Sequence, residues 1–596
     1  MRGRSIAVAV VAAGTLVLPG VALASSSPND AGLLAGTCSP GARTLSHAGD
    51  HVYPETGNGG YRSIHTDIHL VYDAPTNQFL PGTHVVLTQQ AMQCLTNFSL
   101  DFERTSVVGS AGPDLAVRSI SVNGTAAGFR FVQPTYPGDP KGADDPDPLA
   151  HQAGQRNPVG GPQHNPLPPA CTPALTGRTA TAQNGQPCPK NKLVITPVRS
   201  IQRGDRFTVT ISYTGRPGVH LDGDGSTEGW FRSNSPVGDG GFVTTEPVGS
   251  EDWMPLNDHP SAKPTYDLFA TVNPGKTAIG NGKLVSRAKQ PGNAQFPHGS
   301  TTWHWRSNAP VASYLVEASV GSFDLTQRTT ANGTTYYQAQ PSSLSAARRQ
   351  ANRSIMNQQS DITRFESTFN GPFPFQSDGV LIGLPKASFA EEMQTMITFP
   401  GGRIDLDTLY HENMHQWWGD NVSEANYNLT FFKEGMATLG EFLFVARTAQ
   451  QRAGGPGTKA GAAAFEASLR KNFNTLYANA KVFTTAPSNP TPYGLFSGSS
   501  TYDRPGIAYI ALRQILGPAE FTRTLQSVQA QYGGATITEQ QWESAFVQAL
   551  PHPTAQCRDR LATFFTQWFD TDYPTSSGAT RPTLTGPGLA GPGFSC

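Results

Sequence analysis

Net charge is nearly absent from this 596-residue chain: 43 Lys and Arg stand against 44 Asp and Glu, a formal balance of −1. This balance gives no reason to expect nucleic acid or an anionic membrane as a partner. Beyond residue 24 no apolar run is long enough to cross a bilayer. No C-x-x-C pair occurs among the six cysteines, which removes the usual thiolate metal and redox signatures. No repeat period is seen. Glycine (62) and proline (48) are abundant, which favours many short strands and turns over an all-helical bundle. The length corresponds to roughly two to four domains.

The first residues read as an address. Arg2 and Arg4 precede an apolar run from Ile6 to Ala22, and Ala22-Leu23-Ala24 is a small-x-small cleavage site. A signal peptide over 1–24 and a secreted, extracellular product without a membrane span are expected; an uncleaved anchor is the alternative. In an oxidising compartment the six cysteines can form three disulfides. Nearest-neighbour pairing gives Cys38–Cys94, Cys171–Cys188 and Cys557–Cys596, one of about 15 connectivities.

From about residue 60 to 132, apolar and polar side chains alternate between turn signals, as in "THVVLTQQAMQCL", "LDFERTSVVG" and "LAVRSISVNGTAAGFRFV". This predicts antiparallel strands, with an Asn123-Gly124 hairpin turn. Residues 133–190 are dense in Pro, Gly, Asp and Gln and read as a surface insertion. Strand patterns resume at "KLVITPVRS" and run through "ASYLVEASVGSFDL". From about residue 343 the period changes: "LSAARRQANRSIMNQQSDITRFESTF" predicts a helix, and helical patterns dominate to about 571. A Gly/Pro tail ends the chain. Strands first and helices second is the α+β pattern.

The segment "LYHENMHQWWGDNVSEANYNLTFFKEGMATLGEFL" carries H-E-x-x-H at His411, Glu412 and His415. Residues four apart share one helical face, so both imidazoles can reach one metal ion. Glu412, one step round the helix, can then serve as general base toward a water. Asp405 or Asp407 can cap the start of this helix and Gly419 can end it. A catalytic zinc needs a third protein ligand and keeps an open position. Glu434, separated from His415 by eighteen residues and lying in a second helix-like stretch, is the candidate. Bound there, zinc would polarise a carbonyl, and the resulting oxyanion would need a second electrophile such as a Tyr hydroxyl.

"HENMHQWWGD" followed by "FFKEGMAT" resembles the aminopeptidase N family of zinc peptidases, whose pattern is H-E-x-x-H-Q-W-F-G and then N-E-G-F-A. Three further segments are similar to that family in order: "TTEPVGSEDWMPLNDHPSAKPTYDLFATV", "FAEEMQTMITF" and "TYDRPGIAYIALRQILG". The resemblance implies one zinc per chain, held by His411, His415 and Glu434, with Glu412 and Tyr502 catalytic. It implies that Glu392 and Glu246 bind the substrate's free α-amine, which would make the chain an aminopeptidase acting on peptide N-termini. It implies an N-terminal β domain (25–310), a thermolysin-like helical zinc domain (311–515) and a short helical C-terminal region (516–596). The rivals are a zinc endopeptidase of the same fold and an inactive, peptidase-like binding protein.

Departures from the family pattern predict altered specificity. The family's Gly-x-Met-Glu-Asn is Phe389-Ala390-Glu391-Glu392-Met393 here, so Glu391 competes with Glu392 for the amine-binding role. Thr244 stands where Gln is common, and Lys433 replaces the Asn before the third ligand. Three other signals are read as structural. His65 and His69 fall in a strand pattern that sets them about 13 Å apart. Asp222, Asp224, Ser226 and Glu228 alternate as in a calcium loop but lack the Gly and bidentate Glu positions of an EF-hand. Trp417 and Trp418 can pack the core or form a binding platform.

Overall fold

The computed structural model describes residues 38–41, 52–53, 56–105, 112–132, 192–221, 226–233, 240–387, 389–490, 494–550, 554–574 and 581–595. The expected signal peptide, the 133–190 insertion, Asp222, Asp224, Cys171, Cys188 and Cys596 lie outside them.

The fold is α+β. Alternation builds the largest sheet: the strand Tyr61–Asp73 buries Ile68, Leu70 and Tyr72, and His84–Ala91 buries Val85, Leu87 and Ala91. Nine strands join in this sheet, with Thr265–Val272, Ser300–Ser307 and Lys283–Gln290 on one side and Arg206–Arg216 and Asp114–Val122 on the other. The expected antiparallel domain is mixed at its centre, because Thr265–Val272 runs parallel to Tyr61–Asp73. A two-residue period fixes which face a side chain takes but not strand direction, and no hairpin ties partners so distant in sequence. Asn123 and Gly124 both take positive φ in the predicted turn. Cys38 and Cys94 form the expected disulfide.

His65 and His69 are sheet residues, as expected: His65 bonds to Thr265, and His69 stacks between His84 and Phe269. Ser226 and Glu228 point inward, where Glu228 is fully buried and accepts from Ser226 and the Val248 N–H.

A five-stranded sheet holds Val219–Leu221, Thr227–Ser233, Gly240–Thr244, Val320–Gly321 and Thr277–Ala278. It delivers Glu246 just beyond its strand Gly240–Thr244. The predicted strand over "ASYLVEASVGSFDL" is instead a 3-10 turn at Ser313–Leu315 and two strands, Val320–Gly321 and Phe323–Thr329. Every residue from 311 to 320 is buried, so this stretch never alternates.

The predicted helix after residue 343 is two helices, α1 (Ala346–Met356) and α2 (Gln359–Asn370). Asn357 is a weak helix former, and its N–H turns back to Arg353 and Ile355. A four-stranded sheet, which the helical pattern did not announce, pairs Phe323–Thr329, Thr335–Pro341, Ser377–Ile382 and Ile397–Phe399. Then follow α3 (Leu406–His415), α4 (Thr430–Arg452), α5 (Lys459–Ala478) and α6 (Arg504–Leu516). The remaining described helices are α7 (Pro518–Tyr532), α8 (Glu539–Gln548) and α9 (Ala555–Phe565). Trp417 and Trp418 are wholly buried in the helical core beside Phe432 and Trp542, which removes the platform reading. The tail folds back: Trp568 donates to the Leu584 carbonyl and Tyr477 to that of Pro582.

Within the β region lies a buried ionic node, where the strands Leu95–Asp101 and Lys192–Thr196 pair. Asp101 accepts from Lys192 Nζ at 2.5 Å, Asn58 Nδ2 at 2.7 Å and the Asp258 N–H at 2.9 Å. Replacing one partner of such a pair leaves the other charge stranded. Lys192→Met should therefore cost about 3–5 kcal/mol, read as a lower denaturation temperature in scanning calorimetry.

Candidate metal centre and its cavity

Asp405 caps α3 by accepting the Thr408 N–H at 2.9 Å, and the helix then presents His411 and His415 on one face. α3 ends at His415; Gly419, at φ 115°, turns the chain four residues later. α4 packs on α3 so closely that a Cβ at Gly440 would sit 3.1 Å from that of Met414. α6 approaches the other side, where a Cβ at Gly435 would lie 2.5 Å from the Pro505 ring. Glycine at both places lets three helix segments converge.

The convergence brings the predicted ligands together. Glu434 Oε2 lies 3.3 Å from His411 Nε2 and 3.3 Å from His415 Nε2. Such separations match the edge of a tetrahedron with arms of about 2.0–2.1 Å, the usual Zn–N and Zn–O lengths. The outer nitrogens are held as metal ligands require: His411 Nδ1 meets Glu441 Oε1 at 2.6 Å, and His415 Nδ1 meets the Trp418 carbonyl at 2.9 Å. The donor set and its supports therefore fit zinc. Glu441 went unpredicted, although it lies seven residues after Glu434 and so on the same helical face.

One cavity of about 440 Å³ is lined by His411, Glu412, His415, Glu434, Tyr502, Glu392 and Glu246 together. All seven predicted site residues thus meet in one place. Tyr502 stands in a π-helical turn, Gly498–Asp503, that leads into α6; its ring centroid is 5.9 Å from that of His411. Burial pushes the Tyr502 hydroxyl well above its ordinary pKa, so it stays protonated and able to donate. Burial likewise raises the Glu412 carboxyl, to about 7.

Glu391 and Glu392 are placed differently. Glu391 turns away to accept the Thr245 N–H at 2.8 Å, whereas Glu392 lines the cavity. Gln416, next to the second histidine, fixes that segment by donating to the Glu392 carbonyl and accepting the Thr395 N–H, both at 2.8 Å. Lys263, from the β region, secures the chain after α3 through the Asp420 carbonyl and Ser423 Oγ.

Lys433 does more than add charge near the metal. Its ammonium, fully buried, bonds to Glu246, to Glu392 at 2.7 Å and to Glu434 Oε1 at 2.7 Å. Burial and the neighbouring Glu392 push the Glu246 carboxyl up, while at Glu392 burial is outweighed by Lys433 and His415. Glu434 is therefore bifunctional, with one oxygen toward the histidines and the other toward Lys433.

With this geometry in view, residues 401–568 match the Peptidase family M1 domain. That match spans less than a third of the chain. Aminopeptidase B of Rattus norvegicus is 25% identical over 202 residues, and aminopeptidase N of Haemonchus contortus is 23% identical over 223. These matches cover 33% and 35% of this chain but span only 28% and 22% of the relatives' length. The fold extends further. An M1 zinc metallopeptidase from Deinococcus radiodurans superposes over 90% of this chain and 99% of its own, with a TM-score of 0.65 at 20% identity. The match to this family implies zinc.

A carboxylate that holds the outer nitrogen of a ligating histidine typically contributes 10–100-fold in metal affinity. Glu441→Ala should weaken zinc binding by about that factor, measured by competition against a chelator of known affinity.

Proposed function

We propose that the chain is an exported M1-type peptidase that binds one zinc per chain through His411, His415 and Glu434 and hydrolyses peptides at their N-terminal end. The observation that carries this reading is the single cavity shared by the three metal donors, Glu412, Tyr502 and the Glu246–Glu392 pair. Aminopeptidase relatives support the substrate class. A mutant of the Deinococcus radiodurans neighbour is known with a Tyr-ser-ala substrate bound.

Zinc, when bound, supplies Lewis acidity that polarises the scissile carbonyl and makes a water nucleophilic near neutral pH. The chain's own groups do the rest. Glu412 takes the proton from the attacking water and returns it to the leaving amine. The Tyr502 hydroxyl donates to the oxygen that gains charge as the carbonyl becomes tetrahedral. Glu246 and Glu392 offer carboxylate oxygens at one end of the cavity, which sets how much substrate fits between that end and the metal donors. Burial of Glu412, Glu246 and Glu392 lowers the local dielectric and strengthens their contacts.

The domain limits at about 310 and 515, with the β region as cap, belong to the same proposal. Export is supported by the sequence of residues 1–24 and by the Cys38–Cys94 bond, which suits an oxidising compartment. No helix among the described residues is long and apolar enough to cross a membrane. The rival scaffold reading leaves the convergence of five reactive side chains without a purpose.

Hydrolysis of aminoacyl-arylamides by the purified protein should be abolished by a zinc chelator and restored by stoichiometric zinc. Glu412→Gln should lower kcat about 10²–10⁴-fold, and Tyr502→Phe about 10²–10³-fold, with zinc content unchanged in both. Zinc-loaded wild-type protein that cleaves no peptide substrate would sink the proposal.

A further inference from the structure

The ammonium of Lys433 stands where the reading above puts a substrate's α-amine. Its three N–H groups meet three acceptors, one oxygen each of Glu246, Glu392 and Glu434. That exhausts the donors of an ammonium group. The charge also lies over the Tyr314 ring, 5.1 Å from its centroid. The stem is confined as well: a Cβ at Gly419 would come within 3.1 Å of Lys433 Cδ, so the turn after α3 leaves room for this side chain and little else.

A substrate α-ammonium carries the same charge and the same three donors, so it competes with Lys433 for the same oxygens. The balance of charge points the same way. Glu246 and Glu392 bring two buried carboxyl groups to this wall of the cavity, and Lys433 gives both a cationic partner. An uncharged asparagine there would leave both carboxylates in need of a cation from the substrate. With Lys433 present, a neutral group can occupy that end without stranding a pair of buried, unpartnered carboxylates.

We propose that Lys433 acts as a built-in N-terminal ammonium, satisfying Glu246 and Glu392 in place of the substrate, so that peptides with an acylated or cyclised first residue are hydrolysed alongside free ones. This specificity rests on the peptidase reading and deepens it. The bond broken is still an amide, with water as the only co-reactant. Lys433 is a positioning and specificity residue, since it also holds the second oxygen of Glu434.

The test compares each member of an aminoacyl-arylamide panel with its N-acetyl twin, in wild type, Lys433→Asn and Lys433→Met, each with measured zinc content. Wild type should hydrolyse both twins with kcat/KM values within about tenfold of each other. In both variants the preference for the free amine should rise at least tenfold, mainly through KM, since a hydrogen bond to a charged group is worth about that factor or more. Calorimetric titration with amino-acid amides and their acetylated twins should show the same change in affinity ratio. A wild type that cleaves only the free-amine member would overturn the inference, even if neither variant folds. So would an unchanged ratio in zinc-loaded variants. Absence of cleavage of either twin by zinc-loaded wild type would defeat the peptidase reading instead, and the binding ratios alone would then decide the role of Lys433.

Discussion

The centre of this protein depends on one carboxylate facing two ways. Glu434 turns Oε2 to the histidine pair and Oε1 to a buried ammonium, so the metal position and the substrate end of the cavity share a single side chain. Neither half is stable alone. Two imidazoles and a carboxylate packed without a cation would bury an uncompensated charge, and a buried lysine without its carboxylates would lose its proton. The arrangement holds because each group satisfies the next, and because helix α4 can press against both α3 and α6 at glycines.

Electrostatics in such a place is collective. Glu246, Glu392 and Glu434 crowd around one cation, and the cost of removing them from water is met by contacts that reach them from three separate regions of the chain. The β region supplies Glu246 and Lys263, the segment before α3 supplies Glu392, and α4 supplies Lys433 and Glu434. The candidate metal donors and the Glu246–Glu392 pair thus belong to one charge network rather than to separate pockets.

How much of this was legible in the sequence follows the range of the interactions. His411, Glu412 and His415 announce themselves because helical spacing is local, and Glu434 follows because the zinc needs a third donor and this carboxylate lies in the next helix-like stretch. The period-two strands were readable for the same reason, while the parallel pairing of Thr265–Val272 with Tyr61–Asp73 was not. Glu246, Glu392 and Tyr502 came only through resemblance, since nothing local marks a carboxylate that meets its partner across nearly two hundred residues. The buried run at 311–320 and the triple contact of Lys433 were invisible: each is decided by packing between segments. Glu441 is a different case. Its seven-residue spacing from Glu434 is as local as that of the two histidines, but a lone acidic residue on a helical face carries no motif to single it out.

Lys263 carries a consequence of its own. It reaches from the β region to the Asp420 carbonyl and Ser423 hydroxyl, the stretch that turns the chain from one metal-binding helix to the next. A fragment cut at residues 401–568, the borders of the family match, would keep all three metal donors and Tyr502. It would lose Glu246, Glu392 and the lysine that pins this turn. The matched segment therefore holds the metal donors without the two carboxylates that complete their cavity, and those come from the rest of the chain.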